Sequence, residues 1–183
     1  MSAPAIITRW RRLPRDRRGV AAVEFALIVP VVIIVYMGGF EVMEASTVYR
    51  KLTDTTVQLA NVTAQYTALT QDDANNVLAA SAQIMTPYPT ADLSIVLSEV
   101  TVNSGGVGQV AWSCKWPGGG ACTPGGGTVT MPAGFQTVGA SYILVQTAYQ
   151  YEPVIGGAFV KPIKMTNQIF MLPRSSPTIP YKG

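Results

Sequence analysis

The chain has 183 residues, of which 13% are charged, and its mean hydropathy is positive. This length suits one ordinary domain with an anchor, and so few charges are typical of a chain with one lipid-embedded part and one exported part. There is no histidine, the commonest general base and metal ligand, and the two cysteines alone do not make an ordinary zinc site. No catalytic residue, metal or cofactor is therefore predicted.

The charges that add up to the net charge of +3 are unevenly distributed along the chain. Six arginines precede position 19 and only Asp16 opposes them, whereas the rest of the chain has seven Lys or Arg and nine Asp or Glu. A basic arm of this kind can bind nucleic acid. Here it directly precedes a long apolar run, where positive charge is the usual topology signal, so no nucleic acid is predicted as a partner.

The first predicted element is an apolar helix at residues 20–40, with the sequence VAAVEFALIVPVVIIVYMGGF. Its 21 residues with one charge are long enough to cross a bilayer, which takes about 20 residues. A secretory signal peptide would have a shorter apolar core and a small-residue cleavage site, which residues 38–41 do not provide. The helix is therefore predicted to stay in the membrane, with residues 1–19 as a cytoplasmic leader and everything after Glu41 exported.

Glu24 is the one charged residue inside this run. A carboxylate at the bilayer centre costs roughly 2.5–3.5 kcal/mol, and less near the interface, where Glu24 is expected because it lies early in the run. One interpretation is that its side chain reaches the headgroups or Arg17 and Arg18. The other interpretation depends on the surrounding pattern, in which a basic leader and Gly19 precede four apolar residues, the glutamate and a hydrophobic stem.

This pattern resembles the type III signal of type IV pilins. The resemblance implies that a prepilin peptidase cuts between Gly19 and Val20, so that Glu24 becomes the fifth residue of the mature chain. Cleavage would place a new ammonium on Val20, and a carboxylate four residues further on could pair with such an amine on a neighbouring stem. Because an unmatched charge in an apolar bundle is costly, the pair would set the register between subunits, with Phe25 beginning the hydrophobic stem.

The local sequence narrows the resemblance to one family. Residues 16–27 read DRRGVAAVEFAL, Pro30 follows within the span, and residues 39–41 end it with a glutamate. This signature is similar to the TadE/TadG-like family of the tight-adherence (Tad, or Flp) pilus system, and residues 149–153 and 173–174 resemble its C-terminal half more loosely. The resemblance implies a pilus assembly protein, minor pilin or pseudopilin of the bacterial inner membrane. It also implies a part in pilus biogenesis and adhesion, with other pilins and the Tad secretion platform as partners.

The membrane helix is predicted to continue outward as a stem. Pro30 removes one helical hydrogen bond and is expected to kink the span, which membrane helices tolerate. Beyond Glu41 there is no Pro or Gly until Pro87, and apolar residues recur with helical spacing as far as Leu69. Residues 41–86 are therefore predicted to be helical and extracytoplasmic. The apolar stripe of the stem either packs on the head of its own chain or also contacts the stems of partners.

A second helix is predicted from Gln71 to Met85, with Thr70 and Asp73 forming a capping box. Beyond it the pattern becomes strand-like, and the predicted strands are residues 93–102, 109–116, 142–151 and 163–172. The second of these strands alternates, and one face is expected to carry Val110, Trp112, Cys114 and Trp116. The predicted fold is α+β, in which a single N-terminal transmembrane helix extends as a long stem to a small antiparallel-sheet periplasmic head at residues 87–183.

Cys114 and Cys122 are predicted to form a disulfide. The predicted topology places both outside the reducing cytoplasm, and the seven residues between them include three glycines that let the chain turn back. Two free thiols are the alternative, and they would fit only a cytoplasmic head.

The head offers little that predicts catalysis. Glu99 and Glu152 lie on or beside strands and could in principle form an acid pair of the glycosidase type. A different kind of function is a membrane-tethered extracytoplasmic binding module with no role in the fibre. Such a module would recognise its ligand through Trp112, Trp116 and the glycine-rich loops. The sequence favours the structural role in a pilus.

Overall fold

The computed structural model describes residues 19–118, 122–155 and 161–183. The chain divides into two units, Met1–Val42 and Met43–Gly183. One long helix, α1 (Val20–Thr63), supplies most of the described part of the first unit and is the first element of the second. The predicted α+β fold, with an apolar N-terminal helix and an antiparallel sheet, is confirmed. The predicted leader lies outside the described residues except for Gly19.

The second unit continues after α1 with a second helix, two 3-10 turns and eight strands among the described residues. In chain order these are β1 (Leu69–Thr70), α2 (Gln71–Ala82), the 3-10 turns Gln83–Met85 and Thr90–Asp92, β2 (Leu93–Val102), β3 (Gly108–Trp116), β4 (Thr123–Pro124), β5 (Thr128–Val129), β6 (Ser141–Tyr151), β7 (Ile163–Met171) and β8 (Tyr181–Lys182). The four predicted strands correspond to β2, β3, β6 and β7, and the two-residue strands were not predicted.

The second half of α1 packs one of its faces against the sheet. The buried residues of this face recur at helical spacing: Val48, Leu52, Thr55, Thr56, Leu59, Ala60 and Thr63. The hydroxyl oxygens of Thr56 and Thr147 in β6 lie 2.7 Å apart, and the amide of Asn167 in β7 donates to Thr53 Oγ1 at 2.8 Å. The stripe thus packs on the sheet of its own chain, which is the first of the two predicted arrangements.

Helix α1 ends at Thr63, short of the predicted end at Leu69. Leu69 is fully buried and pairs with Tyr181 in the short parallel ladder between β1 and β8, where its amide donates to Pro180 O at 3.0 Å. This pairing with the C-terminal segment requires extended backbone at Leu69, so the helix cannot reach it. The predicted capping box of α2 is present, since Thr70 Oγ1 accepts from the amide of Asp73 and the Asp73 carboxylate accepts from the amide of Thr70.

The larger sheet has the strand order β4-β3-β2-β6-β7, and β5 also pairs with β3. All of its ladders are antiparallel. A bulge places Trp112 opposite Glu99 but Val110 opposite Val100, which leaves Ala111 as the extra residue. The prediction that Val110 shares a face with Trp112 is therefore wrong, because the bulge turns Val110 towards Val100 in a separate cluster.

The two faces of the sheet carry separate hydrophobic clusters, because successive strand residues point to opposite sides. The cluster facing α1 and α2 includes Ile95, Leu97, Trp112, Cys114, Ile143 and Val145. The cluster on the other face consists of Val100, Val102, Met131, Tyr142 and Leu144. At Gly108 a Cβ would lie 2.5 Å from Val100 Cγ1 and 2.6 Å from Met131 Sδ, so a larger residue here would force these neighbours to shift.

Candidate functional site

The first half of α1 presents an apolar surface in every direction. Large apolar side chains along it are exposed, including Phe25 at 69%, Ile34 at 70% and Tyr36 at 76%. By length and composition the helix can cross a membrane, and none of its apolar stretch is buried. A helix that is apolar all round and has no protein cover is stable in lipid rather than in water. The segment thus suggests a single-pass membrane anchor.

Gly19 and Val20 lie at the start of this helix. No described atom comes within 4 Å of the position that a Cβ of Gly19 would occupy, and Val20 is 50% exposed. The peptide bond between them is the predicted processing site, and its surroundings among the described residues are open. Cleavage at this bond stays a prediction.

Glu24 is exposed one helical turn after Val20, about 6 Å further along the helix axis. Within residues 19–118, 122–155 and 161–183, no group is hydrogen-bonded to its carboxylate, and the neighbouring Phe25 is exposed as well. The helix continues through Pro30, so the proline does not end it. The bend predicted at Pro30 and the assembly role predicted for Glu24 and Phe25 stay predictions.

A tyrosine fixes α1 near the start of the second unit. The Tyr88 hydroxyl donates to Glu44 Oε2 at 2.7 Å. Burial, followed by this hydrogen bond and the charge of Glu44, raises the pKa of Tyr88 to about 12. Burial also raises the pKa of Tyr149, with smaller contributions from Asp92 and Glu152. Tyr88 therefore remains a neutral donor at physiological pH and holds the segment before β2 against α1.

Cys114 and Cys122 form the predicted disulfide, with their Cα atoms 4.3 Å apart. Both cysteines are buried and belong to the cluster that faces the helices. The amide of Cys122 donates to Gln71 Oε1 at 2.8 Å. The disulfide therefore joins β3 to a segment that is also hydrogen-bonded to the first residue of α2.

The two tryptophans of the head do not form an exposed recognition surface. Trp112 is 2% exposed, and its indole Nε1 donates to Glu99 Oε2 at 2.9 Å and to Ile179 O at 2.7 Å. Trp116 is partly buried and packs against the same core cluster. The burial of Trp112 does not fit the alternative in which its ring recognises a ligand, because the ring lies in the core, and Trp116 also contributes to packing.

Glu99 is the centre of a buried polar network that was not predicted. It is 3% exposed, and its Oε1 accepts from the Ser141 hydroxyl and from the Ile179 amide, each at 2.7 Å, while Oε2 accepts from Trp112. The network joins β2, β3, β6 and the C-terminal segment. The alternation along β2 contained the signal, because it places position 99 on the inward face with the apolar odd-numbered residues.

Glu99 and Glu152 do not form an acid pair. Glu99 lies opposite Ile143, and Glu152 follows nine residues further along, a distance of about 30 Å at roughly 3.3 Å per residue. The two carboxyl groups of a glycosidase are about 5–9.5 Å apart. Among the described residues, no group of three or more His, Cys, Asp or Glu side chains could hold a metal ion.

The N-terminal part of the chain matches a protein-family model over residues 19–61. The matched family is TadE, described as TadE-like protein. The match begins at Gly19, includes Glu24, Phe25 and Pro30, and covers nearly all of α1. The resemblance to TadE/TadG-like proteins of the Tad pilus system is therefore confirmed over this segment. No curated protein and no solved structure matches the chain.

Proposed function

We propose that this TadE-like chain is a pilus assembly protein and minor pilin of a Tad (Flp) pilus, contributing to pilus biogenesis and adhesion. The observation that carries the proposal is the coincidence of two features in one segment. Residues 19–61 match the TadE-like family, and the same helix exposes an apolar surface without protein cover as far as Val42. In this proposal the first half of α1 is anchored in the bacterial inner membrane and can pack against the stems of other pilins. Proteins of the Tad secretion platform are the other proposed partners.

The proposed orientation has the N-terminus in the cytoplasm and the second unit outside. Six arginines before position 19 support it, because basic residues next to a span stay on the cytoplasmic side. The disulfide between Cys114 and Cys122 also supports it, because disulfides persist in oxidising compartments and are rare in the cytosol. The two arguments are independent, since one rests on the leader and the other on the head.

Glu24 is the residue proposed to set the register between stems. Cleavage after Gly19 by a prepilin peptidase would create an ammonium on Val20, and the exposed Glu24 carboxylate of one stem would accept that ammonium from the next. In an apolar environment each charge is costly alone, so subunits would associate only where the two charges meet. The exposure of Glu24, without a partner among the described residues, fits this role.

Replacing Glu24 tests the proposal in cells that make the pilus. Glu24→Ala should insert at least as well as the natural chain, because it removes a charge from the lipid, yet it should strongly reduce piliation. The measurements are the amount of protein in the membrane fraction and the number of pili per cell by electron microscopy. Asp54→Ala is the matched control, because it removes an exposed acid from the same helix outside the apolar half.

Normal piliation with Glu24→Ala, at a normal membrane level, would contradict the register role. If a cell that lacks the whole chain also makes normal pili, the pilus function itself is contradicted. That second result would leave the membrane-tethered binding module as the function.

The proposed processing has a separate test. Mass spectrometry of the membrane-extracted protein should find an N-terminus at Val20. A chain that still begins at Met1 in piliated cells would contradict the pairing between Glu24 and a Val20 ammonium.

A further inference from the structure

The chain after β7 continues as a mostly irregular segment that includes β8. We call residues 172–183 the C-terminal strap. Near its start, Arg174 N donates to Ala64 O at 2.8 Å, and Arg174 Nη2 donates to Asn61 Oδ1 at 3.0 Å. Near its end, residues 179–181 contact the larger sheet and β1. The strap is thus attached at two places, once beside the end of α1 and once at its own far end.

Ile179 is the buried anchor of the far end. Its side chain is fully buried in the cluster that faces the helices. Its amide donates to Glu99 Oε1 at 2.7 Å, and its carbonyl oxygen accepts from Trp112 Nε1, also at 2.7 Å. Side chains of the sheet therefore bind both backbone polar groups of one residue, and the core takes its side chain. This combination is typical of grooves that recognise extended peptides, where backbone hydrogen bonds give affinity and side-chain pockets give specificity.

The next two residues of the strap extend this recognition. Leu69 N donates to Pro180 O at 3.0 Å in the ladder between β1 and β8. The Tyr181 hydroxyl donates to Gln71 Oε1 at 2.7 Å, and the Tyr181 ring lies 6.5 Å from the ring of Trp112. We call the residues that contact the far end the strap groove: Leu69, Gln71, Glu99 and Trp112. The groove fits an extended peptide in which proline and tyrosine follow a branched apolar residue.

The far end of the strap is not enclosed by the head. Thr178 and Pro180, on either side of the buried Ile179, are exposed. A cavity of about 300 Å³ lies beside them and is also lined by residues of β2, β3 and β4. Strand β8 pairs with β1 and does not belong to the larger sheet. The far end can therefore leave the groove without breaking any ladder of the larger sheet.

The connection between the two attachments has the properties of a hinge. The chain bends at residues 174–177, and Ser175, Pro177 and Thr178 are exposed. The Ser176 hydroxyl donates to Thr178 O, a bond that lies within the strap and moves with it. The prolines of the strap disfavour a helix, so a released strap stays close to an extended conformation. An extended peptide loses less conformational freedom when it binds a groove.

We propose that the strap groove is a peptide-binding site for the C-terminal strap of a second copy of this chain, so that two copies exchange straps. A second strap brings the same residues to the same groove, so exchange reproduces every contact of the far end. Exchange of an identical element is a low-cost route to association for this reason. The inference concerns the second unit alone and does not depend on the membrane anchor.

The length of the strap limits how the two copies can lie. Fully extended, residues 172–178 reach at most about 25 Å beyond the end of β7. The groove of the second copy must lie within this distance, so the two heads would be neighbours. Straightening the bend at residues 174–177 is the change that directs the strap to the second copy.

The test uses two differently tagged full-length chains made in the same cells, so that exchange can occur while the chains fold. One chain carries Thr70→Cys and the other Lys182→Cys, because these exposed residues are opposite each other in the ladder between β1 and β8. Disulfide-linked heterodimer is measured on non-reducing gels after mild oxidation in detergent. Lys164→Cys replaces Lys182→Cys in the matched control, because it is an exposed lysine in β7, outside the strap. Cys114 and Cys122 are already paired with each other.

The pair with Lys182→Cys should give several-fold more heterodimer than the pair with Lys164→Cys. A single chain that carries both Thr70→Cys and Lys182→Cys reports pairing within one copy. If that chain closes on itself while the two pairs of chains give equal heterodimer, exchange is overturned and the strap binds only its own head. If that chain stays open and the two pairs are again equal, the strap groove itself is overturned.

A second substitution shows whether the link depends on the groove. Ile179→Asp, added to the chain with Lys182→Cys, should reduce the heterodimer to the level of the Lys164→Cys control, because a carboxylate does not enter the apolar site of Ile179. Ser175→Asp is the matched control, since Ser175 is an exposed residue of the same strap, and it should leave the heterodimer unchanged. Equal amounts of heterodimer with Ile179→Asp and Ser175→Asp would overturn the proposal.

Discussion

The two halves of helix α1 differ in how their apolar residues are distributed. Between Val20 and Val42 large apolar side chains point in all directions and are exposed, whereas from Met43 to Thr63 the buried residues form one stripe against the sheet. The exposed positions in the second half are mostly polar. The comparison teaches that the arrangement of apolar residues around a helix, more than their number, indicates whether protein or lipid covers it.

Two glutamates, one in each unit, differ in burial in the same way. Glu99 is buried in the second unit, where it accepts from a hydroxyl, an amide and an indole. Glu24 is exposed on the apolar half of α1 and has no hydrogen-bond partner among the residues that the structure describes. The first carboxylate therefore contributes to the fold of its own chain, whereas the second makes no such contribution within the described residues.

The largest expected effect comes from shortening the buried stripe of α1. Leu59 is fully buried, and Leu59→Ala should lower the free energy of unfolding of the second unit by about 2–5 kcal/mol, because it leaves a cavity. Leu27→Ala, on the exposed half of the same helix, should change it by less than about 0.5 kcal/mol. Chemical unfolding in detergent micelles, followed by near-ultraviolet circular dichroism, measures both. Equal effects of the two substitutions would contradict the division of the helix.

Removing the buried carboxylate should have the next largest effect. Glu99→Ala leaves the Ser141 hydroxyl and the Ile179 amide without their acceptor, at about 1–3 kcal/mol for each unsatisfied group. We expect a loss of about 3 kcal/mol and faster hydrogen exchange at the Ile179 amide. Glu24→Ala is the matched control and should change neither measurement. Unchanged exchange at Ile179 with Glu99→Ala would show that the network does not hold the C-terminal segment.

The smallest expected effect concerns the tyrosine that contacts α1. Tyr88→Phe removes the hydrogen bond to Glu44 and should cost about 1 kcal/mol or less near neutral pH. The pKa of Tyr88 is raised from 10.0 to about 12 in the folded state. The hydroxyl therefore stabilises the fold fully below pH 10, and this contribution is lost as the pH rises through about 12. The stability of Tyr88→Phe should fall less steeply over that range, and parallel curves for the two proteins would contradict this role.

Much of the fold could be predicted from local patterns. The apolar run, the capping box at Thr70 and Asp73, and the β-branched residues of β2 are signals carried by neighbouring residues. The features that were predicted wrongly depend on partners that are distant in sequence. Leu69 leaves the helical pattern because the C-terminal strand pairs with it, and Val110 changes face because of a bulge that only the register reveals.

The functional residues also differ in whether the sequence alone could predict them. The resemblance at Gly19 and Glu24 was visible because the motif is short and contiguous, and the TadE-like match covers it. The pairing of Cys114 and Cys122 was predictable because a short glycine-containing loop separates them. The network at Glu99 was missed because its partners Ser141 and Ile179 are 42 and 80 positions away.

The central claim is that the first half of α1 spans the inner membrane with the second unit exported, and reporter fusions test it most directly. Alkaline phosphatase folds into an active enzyme only where its disulfides form, so its activity reports the compartment. The account predicts active phosphatase when it is fused after Gly183 and inactive phosphatase when it is fused before Met1, with both fusions at equal level on immunoblots. Activity of the fusion before Met1, together with inactivity of the fusion after Gly183, would contradict the account.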